Sequence, residues 1–261
     1  MPGFDSDSDK LIFYFFALGD VLKSLIQTTP LMEPFFTDFE AKFRPVPGFD
    51  DMTERYFDHP CSANAWERHQ AFVKSLSPDA KLAACILYAD ETTKNSIKGV
   101  KYYPIVLALA NHTLRHRSKR EGKYVIGYLP VMKCPESIKK HPAQRGAFST
   151  AKLGVLHQCW KIVVDQFKKL QHDRGVYLKI HSDVVLFIPT VLFVIADHPE
   201  AAKICGVVES WNASFPCRVC YVTQEEQCDV YKSRELPETW RPRTVEDHNE
   251  YWAEVSVLLE Q

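Results

Sequence analysis

Two aspartates stand where long apolar runs turn polar. LAACILYADET (82–92) leaves its apolar run at Asp90, and PTVLFVIAD (189–197) ends its run at Asp197. If the two runs are neighbouring strands, the carboxylates meet at one edge of a sheet and could share divalent cations. Mg²⁺ and Mn²⁺ take oxygen ligands, and Mg²⁺ commonly sits on one or two carboxylates plus substrate phosphate. Two such ions about 4 Å apart activate the attacking oxygen and neutralise the departing one in an in-line phosphoryl displacement. The plainer reading is that Asp ends strands and opens turns because its side chain bonds nearby backbone amides. Spacing alone leaves both open.

A second group is Cys217-x-x-Cys220 in FPCRVCYV, flanked by Cys205 and Cys228. The pair is half of a structural Zn²⁺ site, and either flanking cysteine could extend it, although the separations are not those of a standard zinc ribbon. Ordinary buried thiols are the alternative. A third is the RHRSKR run, where Arg115, Arg117, Lys119 and Arg120 could contact phosphate, serve as a nuclear import signal, or decorate a solvated hairpin tip. The ten histidines receive no catalytic role.

These residues need a body to hold them, and 261 residues with 46% hydrophobic and 25% charged side chains suffice for a folded core. The longest nearly apolar run, 184–196, contains Pro189 and falls short of the roughly 20 residues a bilayer-spanning helix needs. The acidic start DSDSDK is unlike a secretory signal, and eight irregularly placed cysteines fit a reducing compartment. Net charge is −1, but residues 94–181 hold eighteen Lys and Arg against four Asp and Glu. Such segregation is either the footprint of a polyanion site or the packing of complementary basic and acidic segments.

Residues 1–60, rich in Pro, Phe and Asp, read as a loosely ordered leader, with PLMEPFF and FRPVPGFDD as punctuated loop or short helix. PCSANAWERHQAFVKSL suggests a helix capped by Ser62, with Ala65, His69, Phe72, Val73 and Leu76 near one face. Three β-rich runs follow (82–92, 100–111 and 123–131), as an antiparallel meander. Pro104 implies an edge, a bulge or a late start in the second run. Leu153, Leu156, Trp160, Val163, Val164, Phe167 and Leu170 recur at helical spacing, with Ser149 or Thr150 as cap and Gly175 as stop. VYLKIHSDVVLF then offers a hairpin, and 189–197 a buried strand. This order predicts an α/β fold: a ribonuclease H-like mixed sheet with a long packing helix, the post-helix strand lying beside the first by a right-handed crossover. The expected division is 1–60 leader, 61–210 core, and 211–261 a cysteine-containing, partly helical insertion ending in a helix.

LYADETTKNSIKGVKYYPIVLALAN, VIGYLPV, and VIADHPEAAKICGV followed by PCRVC resemble, in this order, the transposases of CACTA-type DNA transposons, especially the fungal Plavaka-like branch. The likeness covers roughly residues 80 to 250. It implies a ribonuclease H-like domain that cuts and rejoins DNA with an acidic (DDE) triad. Asp90 matches the first metal-binding carboxylate, Asp197 the second, and Cys217 and Cys220 the cysteine pair of the insertion. The partners implied are transposon ends and target DNA, in the nucleus and without a membrane, and self-association is compatible with the resemblance. The family's third carboxylate, a Glu, lies on a later helix, whereas Glu246, Glu250 and Glu254 resemble the start of the insertion's helical part. The expectation is therefore a transposase fragment lacking its third carboxylate and incompetent in catalysis. The alternative is a non-catalytic nucleic-acid-binding or interaction module.

Overall fold

Residues 13–60 supply the first elements of the fold in place of a loose leader. The structure, a computed structural model, describes residues 13–27, 29–30, 33–93, 101–207, 214, 217–226, 242–244 and 246. After strand β1 (Tyr14–Phe15), helix α1 (Leu18–Gln27) buries Leu18, Val21, Leu22, Leu25 and Ile26. That i, i+3, i+4, i+7, i+8 spacing is one helical stripe. FRPVPGFDD forms neither loop nor helix: β2 (Lys42–Val46) and β3 (Phe49–Tyr56) pair as a hairpin across Pro47-Gly48, with Gly48 at φ 83°. Pro followed by a positive-φ Gly is the type II turn signature. Arg55 pins this ribbon down. It donates to the Ser62 carbonyl at 2.9 Å and to the Asn64 side chain, and lies over the rings of Phe39 and Phe57 at 5.4 and 5.1 Å.

Ser62 does not cap the next helix. It sits in a 3₁₀ turn, Pro60–Ser62, with its hydroxyl donating to the His59 carbonyl, and α2 (Asn64–Leu76) starts after Ala63 without a side-chain cap. The buried side of α2 carries Trp66 and Val73, while Phe72 is exposed. Trp66 outweighs the expected stripe because of its larger apolar area.

The main sheet follows. After α2 come β4 (Lys81–Ala89), β5 (Thr92–Thr93), β6 (Lys101–Tyr102), β7 (Pro104–Leu109), α3 (Leu114–Ser118), a 3₁₀ turn (Arg120–Gly122) and β8 (Lys123–Tyr128). Beyond them lie α4 (Glu136–Lys139), α5 (Pro142–His172), β9 (Val176–Ile180), β10 (Asp183–Ile195) and α6 (His198–Ile204). Among the described residues a six-stranded sheet has the order β1-β8-β7-β4-β10-β9. β10 is parallel to β4 and every other pairing in it is antiparallel. The meander and the return of the post-helix strand beside the first are thus observed in a mixed α/β fold. The chain divides into two compact units, 1–129 with 162–195 and 130–161 with 196–261; all six strands belong to the first.

Pro104 opens β7, and the β7–β8 register shifts between Ile105 and Val106, so a late start and an irregularity occur together. The hairpin arm and the buried strand expected over 189–197 are one strand, β10. It pairs with β9 through Phe187 and with β4 from Phe187 onward. Pro189 lies past the end of β9, where no ladder bond to that strand requires its missing N–H. Its carbonyl accepts from the Gln171 side chain at 2.9 Å. Helix α5 begins earlier than expected, so Ser149 and Thr150 bond back to the Arg145 and Gly146 carbonyls instead of capping. Its end is as expected: Gly175, at φ 98°, donates to the Leu170 carbonyl at 2.7 Å.

Where β7 ends, a side chain continues the pairing. Buried Asn111 accepts from the Ala84 amide at 2.8 Å and donates to the carbonyls of Leu82 and Phe36 at 2.8 and 2.7 Å. Next to it, buried His112 bonds Thr29 at 2.9 Å and lies 4.2 Å from the His116 ring, centre to centre. Burial, reinforced by His116 and Arg117, pushes the His112 imidazole down to about 3, so it is neutral at physiological pH.

Two outcomes follow from these contacts. A Cβ at position 175 would meet the Phe187 carbonyl at 2.5 Å on a positive-φ backbone, so Gly175→Ala should lower unfolding free energy by at least about 2 kcal/mol in urea titration. His112 has a folded pKa below its unfolded value, so its contribution is intact above about pH 6.5 and is lost as pH falls toward 3. Between pH 7 and pH 5 this one group should cost about 2 kcal/mol, and His112→Gln should flatten that part of the stability profile.

Candidate functional site

The parallel pairing of β4 with β10 brings two strand ends level. Register runs from Phe187↔Lys81 to Ile195↔Tyr88, with one extra residue in β10 between Val191 and Phe193. Asp90 and Asp197 each follow two residues after that last pair. Asp90, in the first unit, is half-exposed, and its carboxylate accepts from the Tyr88 hydroxyl at 3.1 Å. Asp197, in the second unit, is exposed and caps α6, its Oδ1 accepting from the Glu200 amide at 2.9 Å. Pro199 in the first turn and Glu200 three residues after the cap complete a recognisable helix start. Glu200 is buried and pairs with Lys203 at 3.6 Å. The local, structural use of Asp197 is therefore present. Among the described residues no three His, Cys, Asp or Glu gather into a group that could hold a metal. Glu246 is exposed, and Glu250 and Glu254 lie outside the described residues.

The two thiols of the cysteine pair are electrostatically unequal. The Val219 amide donates to Cys217 Sγ at 3.3 Å. Burial raises the Cys217 thiol, but hydrogen bonds from the Val219 and Cys220 amides and from the Cys220 thiol, with the Arg218 charge, outweigh it and bring it below its ordinary value. Burial and the neighbouring Cys217 push Cys220 the other way. One thiol of the pair thus ionises ahead of its neighbour. Arg243 clasps the turn: its amide donates to the Val219 carbonyl at 2.9 Å, its Nε donates to the Cys217 carbonyl at 3.0 Å, and its guanidinium covers the Tyr221 ring at 4.2 Å. Twenty-two residues separate Arg243 from Cys220, and no local pattern marks it. Cys205 closes α6 and joins no metal-binding group of three, and Cys228 lies outside the described residues.

The basic run does not decorate a solvated tip throughout. Its first part is α3, capped by Thr113, with His116 buried. Arg117 is half-buried and donates to the Ala110 carbonyl at 3.2 Å; Lys119 pairs with Glu33 at 3.3 Å. Arg115 and Arg120 are exposed and make no ion pair among the described residues. Two of the four candidate phosphate contacts are therefore already engaged. No helix among the described residues is long and apolar enough to cross a membrane. Tyr88, the donor to Asp90, was missed in sequence because it reads as one more aromatic in a strand.

A family model described as Plavaka transposase matches residues 9–257. No curated protein and no solved structure matches the chain.

The cap can be tested apart from any chemistry. Asp197→Ala should cost about 1 kcal/mol, read as faster amide hydrogen exchange over α6, and Asp197→Asn should keep most of the protection because its side-chain oxygen still accepts. Equal exchange in all three proteins would remove the capping role.

Proposed function

Because the chain belongs to the Plavaka transposase family, we propose that it is a CACTA-type, fungal-branch DNA-processing protein in which Asp90 and Asp197 hold divalent cations against a DNA phosphodiester. The observation carrying this reading is the parallel β4–β10 pairing that ends at Tyr88↔Ile195, two residues before each aspartate. A β8-β7-β4-β10 order with the long α5 between the meander and β10 is compatible with a ribonuclease H-like core. The 211–261 segment is then the cysteine-containing insertion.

The donor set suits a hard cation. Each carboxylate commits one oxygen to a local hydrogen bond and keeps the other for Mg²⁺ or Mn²⁺. Bound there, such ions would supply Lewis acidity to the phosphoryl oxygens and to the attacking water or 3′-hydroxyl. The chain's own work is orientation. The Tyr88 hydroxyl fixes the Asp90 carboxylate, and the α6 amide fixes that of Asp197. A third carboxylate, a Glu, would complete the acidic triad, and two carboxylates alone would hold the ions weakly and leave cleavage slow. Cys217 and Cys220 would take structural Zn²⁺ together with Cys205 or Cys228, their amide hydrogen bonds favouring the thiolate a zinc site needs. Element ends and target DNA are the partners, in the nucleus, with self-association compatible with the role.

A second reading, a non-catalytic nucleic-acid-binding or interaction module, draws on the basic 94–181 segment alone. Nicking and strand transfer of DNA carrying element ends, with Mg²⁺ or Mn²⁺, separates the two. The proposal expects activity that falls to background in Asp90→Asn and in Asp197→Asn, the latter keeping its helix cap. Salt-dependent binding with identical, background cleavage in all three proteins would leave the binding module.

A further inference from the structure

One face of the main sheet is closed over its central strands, with Val194 and Phe15 at its rim 47% and 45% exposed, and the other is half open. On the closed face Cys85, Leu87, Ile105, Leu107 and Leu109 are all buried. On the other, α2 covers the early part of β4 and β10, where Trp66 and Val73 belong to one cluster with Leu82, Ala84 and Ile188. That cover runs out just past the extra residue in β10, where Ile86 still packs against the cluster. Beyond it, Tyr88, Phe193 and Ile195 are 41%, 39% and 50% exposed.

The register shows how far this surface extends. Ile195 is opposite Tyr88, Tyr88 opposite Val106, and Val106 opposite Val125, so a row of four strands shares the face. A second row joins Pro104, Tyr128 and Tyr14, the last 51% exposed, with the Tyr102 ring 6.4 Å from that of Tyr128. A third pairs Phe193 with Ile86, Ile86 with Ala108, and Ala108 with Lys123. None of these residues is buried. The third row ends at Lys123, exposed and without an ion pair among the described residues.

We infer that this face is a stacking platform for single-stranded DNA, running from Tyr14 across the sheet to Tyr88 and Ile195. The inference rests on the DNA-processing reading above and adds the form of the substrate: an unpaired strand. Unpaired bases can lay their π-faces on aromatic side chains, and cations beside them take the phosphates. Here phenol and phenyl rings lie on a sheet face whose third row ends at Lys123. A duplex keeps its bases stacked on one another and offers no such faces. Tyr88 serves both ends of the arrangement, its ring in the open row and its hydroxyl on Asp90.

The test is fluorescence anisotropy of a labelled oligothymidylate with the full chain, in EDTA so that divalent cations play no part. An abasic strand and a duplex of equal length are the comparisons. The inference expects tight binding of the oligothymidylate only. Tyr88→Ala and Tyr14→Ala should each weaken it roughly 5- to 150-fold, the range for one lost stacking partner, and Tyr88→Phe should bind as the parent does. Asp90→Asn should also bind normally, so cleavage unchanged in that variant would count against the metal site alone and leave the platform standing. Equal affinity for the abasic strand, or alanine variants that bind like the parent, would overturn the platform. So would a Phe193→Asp variant that turns a dimer into a monomer in sedimentation while DNA affinity is unchanged, since a second copy would then own the face.

Discussion

The central constraint is the parallel pairing of β4 with β10. Parallel neighbours cannot be joined by a tight turn, so the chain must travel away and come back. The 31-residue helix α5 occupies much of that journey, and Gly175 ends it where the backbone has to reverse against β10. Everything arranged at the carboxyl ends of those strands depends on this return: the aspartates past each end, the Tyr88 hydroxyl on one of them, and the α6 start on the other.

Periodicity made part of this visible in sequence and hid the rest. The three strand runs alternate or persist in apolar residues, and the amphipathic spacing of α5 with its glycine stop is unambiguous, so the meander, the helix and the return strand were legible. The N-terminal region was not. Its prolines argued for loop, but one of them precedes Gly48 in a tight turn, and the α1 stripe is a short helical pattern embedded among aromatics. RHRSKR misled because charge density was taken for exposure. Tertiary contacts bury His116 and engage Arg117 at the Ala110 carbonyl, which no local pattern announces.

The candidate site was legible to the same limited degree. Both aspartates are marked in sequence by the apolar runs behind them, but so is a structural use, and Asp197 does cap a helix. Capping and cation binding do not compete, since an amide hydrogen bond occupies one oxygen of two. What sequence could not show were partners at long range: Arg243 against the cysteine turn, and the amide of Asn111 joining segments that lie far apart along the chain.

The extra residue between Val191 and Phe193 acts as a phase shifter. Side chains alternate along a strand with a period of two, so one added residue exchanges the sides presented by all that follows. Were it taken into the regular ladder instead, Phe193 and Ile195 would fall in step with Val191, on the closed side of the sheet, and Ile195 would stand beside Ala89 instead of Tyr88. A single local irregularity thereby sets the parity of the strand's whole outlet: excising the extra residue would leave Phe193 and Ile195 facing as they do, whereas losing the bulge at full chain length would turn them over.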